Sequence, residues 1–255
     1  MKELYIKPIT YTLNPLFGTY TVTRCDKDAV NVVIPSDIDG QPVVGIDSEA
    51  FDGCSRLASV ELPTGEEKIY EYVSFSKIGE YAFNECVSLR KIIAPKGLER
   101  IGRGAFRGCK MLTRVTFPEG IRVGDYAFYG CETLTRVTPV RDIGEGTFSH
   151  CKALDYFPVD PRTEEIEEDA FEHCYALTNI VIPRSVRKIG ALAFRNCHGL
   201  KSVRFEAPEV WYCTSRYMSF EKEDIDLSDP VRNARWLRTE DFDDGGTGWY
   251  KRTKD

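Results

Sequence analysis

The sequence predicts an α/β repeat solenoid of about seven coils. A parallel sheet runs along one face, with a β-rich cap before the array and a mixed cap after it. Three observations carry this expectation. One apolar pattern recurs with a period near 23 residues. Within each copy the spacing of apolar residues changes from helix-like to strand-like. The pattern is missing from both ends of the chain, where a stack of repeats has to be closed against water.

The first copy reads GIDSEAFDGCSRLASVELP from Gly45, the third RIGRGAFRGCKMLTRVTFP from Arg100 and the last KIGALAFRNCHGLKSVRFE from Lys188. The shared line is I-G-x-x-A-F-x-x-C-x-x-L-x-x-V-x-x-P. Its phenylalanines are Phe51, Phe83, Phe106, Phe128, Phe148, Phe171 and Phe194, at steps of 32, 23, 22, 20, 23 and 23 residues. This period lies in the leucine-rich-repeat range. Ala, Phe and Cys at i, i+1 and i+4 suit one side of a helical turn. The following L-x-x-V-x-L approaches the alternation of a short strand. The closing Pro ends strand pairing because it has no N–H, and the Gly after Ile is expected to serve a tight turn. One unit cannot bury its own apolar side, but stacked units can.

The seven cysteines of the pattern, from Cys54 to Cys197, fall in one column and read as an internal ladder of small apolar groups. The chain has no C-x-x-C pair, so a structural zinc site is not expected. Cys25 and Cys213 fall in the two caps. His150 and His173 each precede a repeat cysteine and should be neighbours on successive coils. With no carboxylate clearly placed beside them, they read as solvated turn positions, and no metal or other cofactor is expected. The cluster Glu164, Glu165, Glu167, Glu168 and Asp169 reads as the start of a helical segment, where the helix dipole favours negative charge.

These lines resemble the BspA-type (Treponema-pallidum-type) leucine-rich-repeat family, whose signature is A-F-x-x-C-x-x-L-x-x-V-x-x-P. The segment YTVTRCDKDAVNVVIPSDIDGQPVVGI from Tyr20 is similar to the usual lead-in of that family. The resemblance covers about residues 18–205. It implies a curved, right-handed solenoid with its strands on the concave face. It also implies binding roles, since many members are cell-surface proteins linked to adhesion.

Residues 1–43 read as the N-terminal β cap, with the runs LYI, TYTV and NVVI and a turn at Asp39-Gly40. Residues 44–205 form the array, and 206–255 the C-terminal cap. In that cap Asp229 followed by Pro230 marks a helix start, and DFDDGGTGWY reads as a turn. The long step after Phe51 places an insertion at 64–77. It carries Tyr70, Tyr72 and Phe75, and reads either as a hairpin packed on the first coils or as a binding loop.

Composition narrows the function. The net charge of −6 argues against nucleic acid as the main partner. No apolar run of about 18 residues is present, so no membrane span is expected. The polar N-terminus does not read as a signal peptide. A chain that starts at this Met1 would be cytoplasmic, and a processed fragment would be secreted or at the cell surface. The glycines Gly102, Gly104 and Gly108 imitate a phosphate loop with the wrong spacing, and no catalytic motif occurs, so no enzyme is expected.

The outward positions of the predicted strands form two columns. One is Ser59, Lys91, Arg114, Arg136, Tyr156, Asn179 and Ser202. The other is Glu61, Ile93, Thr116, Thr138, Pro158, Val181 and Arg204. The run Lys91, Arg114, Arg136 sets like charges at strand spacing, a cost that an acidic partner would relieve. The expectation is a non-enzymatic, monomeric protein-binding scaffold. Its site comprises Lys91, Arg114, Arg136, Tyr156, Asn179, Ile93, Thr116 and Thr138, with Tyr70, Tyr72 and Phe75 at the rim. The alternative is a fragment of a cell-surface adhesin that binds host or matrix protein or glycan.

Overall fold

A computed structural model describes residues 2–63, 75–207, 211–215, 224–225, 228–238 and 247–251. The repeat line winds into a solenoid with two parallel strand ladders and a turn corner between them. The longer strands are Asn31–Val33, Ser59–Glu61, Lys91–Ile93, Arg114–Thr116 and Arg136–Val137, paired in that order. After a break the ladder resumes as Tyr156 bridges Asn179, and Asn179–Ile182 pairs with Ser202–Phe205. The eight rungs include Asn31–Val33, which lies within the segment read as the cap. The break follows the shortest coil, whose strand ends at Val137, two residues before Pro139, which has no N–H to donate.

The second ladder pairs at most two residues between successive coils. Ile46, Ile78, Ile101 and Val123 pair in parallel, then Ile143 bridges Ile166, which pairs with Ile189.

The corner differs from the helical turn that the A-F-x-x-C spacing suggests. Each coil has two residues there in the left-handed region. Glu49 and Gly53 have φ of 60° and 64°, Tyr81 and Glu85 53° and 54°, and Gly146 and His150 55° and 61°. An α-helix of L-residues does not admit such positions. The corner amides bond to the next coil instead. Phe51 N–H donates to the Ala82 carbonyl at 2.8 Å, Phe83 to Ala105 at 2.7 Å and Phe106 to Ala127 at 2.8 Å. Corner backbone is thus satisfied between coils.

All seven repeat phenylalanines are fully buried. They stack face to face, with ring centroids 4.7–5.5 Å apart and planes within 16°. The cysteine column is equally buried. From Cys86 onward each thiol donates to the phenylalanine carbonyl of the preceding coil, as Cys109 does to Phe83 at 3.1 Å and Cys131 to Phe106 at 3.2 Å. That carbonyl also accepts the amide of the cysteine in its own coil. A cysteine therefore fills a small apolar slot and occupies a second lone pair that would otherwise be buried without a donor.

The glycine after the isoleucine has a reason other than a turn. A Cβ on Gly79 would sit 2.4 Å from the Ser48 amide nitrogen, and one on Gly102 2.6 Å from that of Glu80. Neither residue needs a left-handed conformation. The coils touch backbone to backbone here, and glycine alone leaves the space.

Both ends are closed. Lys2–Ile6, Ile9–Asn14 and Thr19–Cys25 form an antiparallel meander whose last strand pairs in parallel with Gln41–Ile46. The expected turn is present. Asp39 and Gly40, with φ of 52° and 76°, join Ile38 to Gln41 in a hairpin, as strand twist favours. At the other end Thr247–Lys251 runs antiparallel to both Lys188–Ile189 and Trp211–Ser215. The helix Pro230–Arg238 starts where Asp229-Pro230 marks it. Asp229 Oδ1 accepts the amides of Val231 and Arg232 at 2.9 and 3.1 Å. The helix buries Ala234 and Leu237 and satisfies the last rung. Asn233 Nδ2 donates to the Val203 carbonyl at 3.1 Å, and Arg238 Nη1 to Leu200 at 3.1 Å.

Candidate functional site

The long-strand face exposes the residues that the alternation predicts. Register aligns Ser59, Lys91, Arg114 and Arg136 side by side on adjacent parallel strands. Their neighbours in the second column, Ile93 and Thr116, are also in register. Lys91, Arg114, Arg136, Tyr156 and Asn179 are all exposed. Each alternates with a buried Ile, Val or Phe that anchors its strand in the core.

Among the described residues neither Lys91 nor Arg114 has an ion-pair partner. Arg136 lies 4.0 Å from Asp155 and places its guanidinium 6.0 Å from the centre of the Tyr156 ring. These side chains span the break in the ladder. The second column adds exposed apolar surface, with Val33 65 % and Ile93 55 % accessible.

Two predicted members differ from expectation in their surroundings. Thr138 is half-buried, and its hydroxyl accepts the Phe117 amide at 3.0 Å. It therefore serves the strand end and offers little to a partner. Phe75 is buried in the core, which removes it from an exposed rim. It lies near the end of the 64–77 insertion. Tyr70 and Tyr72 lie outside the described residues, as does the Asp243-Asp244 turn.

Register reveals a second basic column that the strand-face argument does not single out. Lys77, Arg100 and Arg122 lie side by side on the short-strand ladder. The signal was the residue before each I-G or V-G, which reads K, R and R in successive copies.

The acidic cluster begins no helix. It faces Lys188 of the next coil, whose ammonium lies 3.2 Å from Glu165 and 2.9 Å from Glu167. Among the described residues Asp169 has no such partner. Burial first, then the charges of Glu172, Glu168 and Glu145, raise its pKa to about 6. Folding therefore favours the protonated acid. The stability this contributes is present below the unfolded value near 4 and is lost as pH rises through about 6. Asp169→Asn should raise stability at pH 7 by about 1–2 kcal/mol and change little at pH 4. Asparagine also tolerates the left-handed φ of 55° at this position. Melts of both proteins at the two pH values check this, and an equal gain at both would contradict it.

A further group forms where the corner passes His150 and His173. Their rings stack at 4.3 Å, and Tyr129 covers the other side of His150 at 5.2 Å. Glu172 Oε1 lies 3.5 Å from His173 Nε2 and 3.7 Å from Arg195. Ser149 donates to Glu172 Oε2 at 3.4 Å. Sequence spacing alone places the two histidines together but leaves out this carboxylate. Its signal was the E-H-C triplet one period after S-H-C.

Six copies of the BspA type leucine rich repeat region match residues 26–76 and 76–201. Among curated proteins, none matches the chain significantly. A leucine rich cell surface protein from Faecalibacterium prausnitzii is similar in structure at a TM-score of 0.71 and 25% identity, covering 90% of this chain and 62% of that one. The leucine rich repeat protein of T. pallidum is similar at a TM-score of 0.54 and 28% identity, covering 80% and 84%. A leucine-rich repeat protein from Bacteroides ovatus, at 24% identity, has a TM-score of 0.51 and covers 80% and 71%. The chain thus spans less than two thirds of the F. prausnitzii structure. No described helix is long and apolar enough to cross a membrane. With matched copies over most of its length and two phased strand ladders, the chain belongs to the BspA-type leucine-rich-repeat family.

Proposed function

We propose that the protein is a non-enzymatic binding scaffold that docks an acidic protein segment on its long-strand face. The carrying observation is the in-register run of Lys91, Arg114 and Arg136 on adjacent strands. Strands about 4.8 Å apart hold these charges in mutual repulsion. An acidic partner relieves that cost and gains electrostatic steering. Ile93, Thr116 and Tyr156 supply contact area beside the charges, and Asn179 offers an amide at the far end.

A poly-glutamate peptide is a direct probe. Binding should weaken steeply with salt and be lost in the double variant Arg114→Glu with Arg136→Glu. The matched control is Arg100→Glu with Arg122→Glu on the other ladder, which should bind as the parent does. Equal loss in both pairs would show general attraction to basic surface and remove the long-strand face as the site.

The second reading, a fragment of a cell-surface adhesin, is favoured by the likeness to the F. prausnitzii cell surface protein. It assigns the same face to a host or matrix ligand.

A further inference from the structure

We propose that His150, His173 and Glu172 form a binding site for a borderline-soft divalent metal ion of the zinc class. One ligand atom from each of the three lies within 4.8 Å of the others. All three side chains are half-buried, so they are held by packing yet reachable by an ion. Two imidazoles and one carboxylate are a familiar three-ligand set for Zn²⁺, with a fourth position left to water. Ligand atoms on one tetrahedral ion stand roughly 3.4 Å apart. Small rotations of the two rings and of Glu172 close the present spacing.

The surroundings favour that role. Tyr175 Oη lies 3.0 Å from His173 Nδ1 and can hold a proton there, leaving Nε2 toward Glu172. This is the outer-shell arrangement that orients a metal-bound imidazole.

The repeat brings the two rings together. The position before the cysteine is left-handed in all seven coils, as Gly53, Glu85, Gly108, Gly130, His150, His173 and Asn196. Two successive coils put a histidine there, at a conformational cost that glycine avoids. Both rings then meet on the same edge of the corner. Two features oppose the ion, the first being Asn196 Nδ2, which lies 3.5 Å from His173 Nε2 and must turn aside. Arg195 lies 3.7 Å from Glu172 and must yield that carboxylate. The site is separate from the long-strand face and does not depend on the reading proposed for it.

The test uses the full chain with a non-thiol reductant, titrated with Zn²⁺ by calorimetry and with Co²⁺ by visible absorption. The variants are His150→Asn, His173→Asn and Glu172→Gln. Asn196 already occupies the same left-handed position in the next coil, at φ 59°, so the histidine variants keep the fold. One ion should bind per chain, with affinity falling about tenfold or more in each variant. His198→Asn, whose ring stacks on Tyr175, should leave it unchanged. Absence of binding by either ion would overturn the proposal. So would binding retained in the double histidine variant, or a thiolate-to-cobalt charge-transfer band, which would assign the ion to cysteine.

Discussion

Replacing Phe128 with alanine should destabilise the protein by about 3–5 kcal/mol, the range for emptying a buried aromatic site. The ring has no freedom to be replaced by its neighbours. It is stacked between Phe106 at 5.4 Å and Phe148 at 5.5 Å, and Phe117 packs against it at 5.7 Å. The flanking rings belong to coils whose spacing is fixed by backbone hydrogen bonds on three sides, so they cannot collapse into the cavity. Phe51 offers an internal comparison. It stacks on Phe83 at the start of the column, and truncation there interrupts one stacked interface between coils where Phe128 interrupts two. In a one-dimensional array, stability is a sum of such nearest-neighbour interfaces. Urea denaturation should therefore show a larger loss for Phe128→Ala than for Phe51→Ala. Equal losses, or a Phe128→Ala midpoint equal to the parent's, would contradict the stacked register.

Gly102→Val should cost about 3 kcal/mol or more, beyond the usual range for adding one methyl to a core. The first added carbon alone would meet the Glu80 amide nitrogen at 2.6 Å and the Gly79 carbonyl carbon at 2.7 Å. Both are backbone atoms bound into their own coil, so relief requires separating two coils rather than turning a side chain. Gly130→Ala is the contrasting change. Its nearest neighbours are 3.8 Å away, but its φ is 71°, so it should cost only about 1–2 kcal/mol, from conformation alone. Thermal melts of the two variants separate close approach from backbone strain. A Gly102→Val protein as stable as Gly130→Ala would mean that the coils are further apart at that glycine than described.

The period, the phenylalanine and cysteine columns and the outward strand positions were legible because burial repeats with the coil. The Asp39-Gly40 hairpin and the Asp229-Pro230 helix start were legible because turns and caps have local chemistry. The corner was not. Ala, Phe and Cys at i, i+1 and i+4 fit a helical turn and a double turn equally well. The distinguishing left-handed positions are filled by residues such as Tyr81, Glu85, Leu192 and two histidines more often than by glycine. The glycine after the isoleucine was legible as necessary but not as a contact, since its neighbour belongs to the previous coil. The same limit hid Glu172, Lys188 and the run Lys77, Arg100, Arg122. Each acquires its meaning from a residue one period away, on a face that strand alternation does not mark.

The C-terminal strand has a consequence for length. A solenoid built from identical coils has no intrinsic stopping point, because its last parallel rung offers the same template as every rung before it. Thr247–Lys251 lies on Lys188–Ile189 in the opposite direction, and the helix Pro230–Arg238 occupies carbonyls of the final coil. A second molecule arriving end-on would meet a strand of the wrong polarity on one ladder and a helix across the other. At this edge the ladder is closed by a change of strand direction rather than by a weaker copy of the repeat.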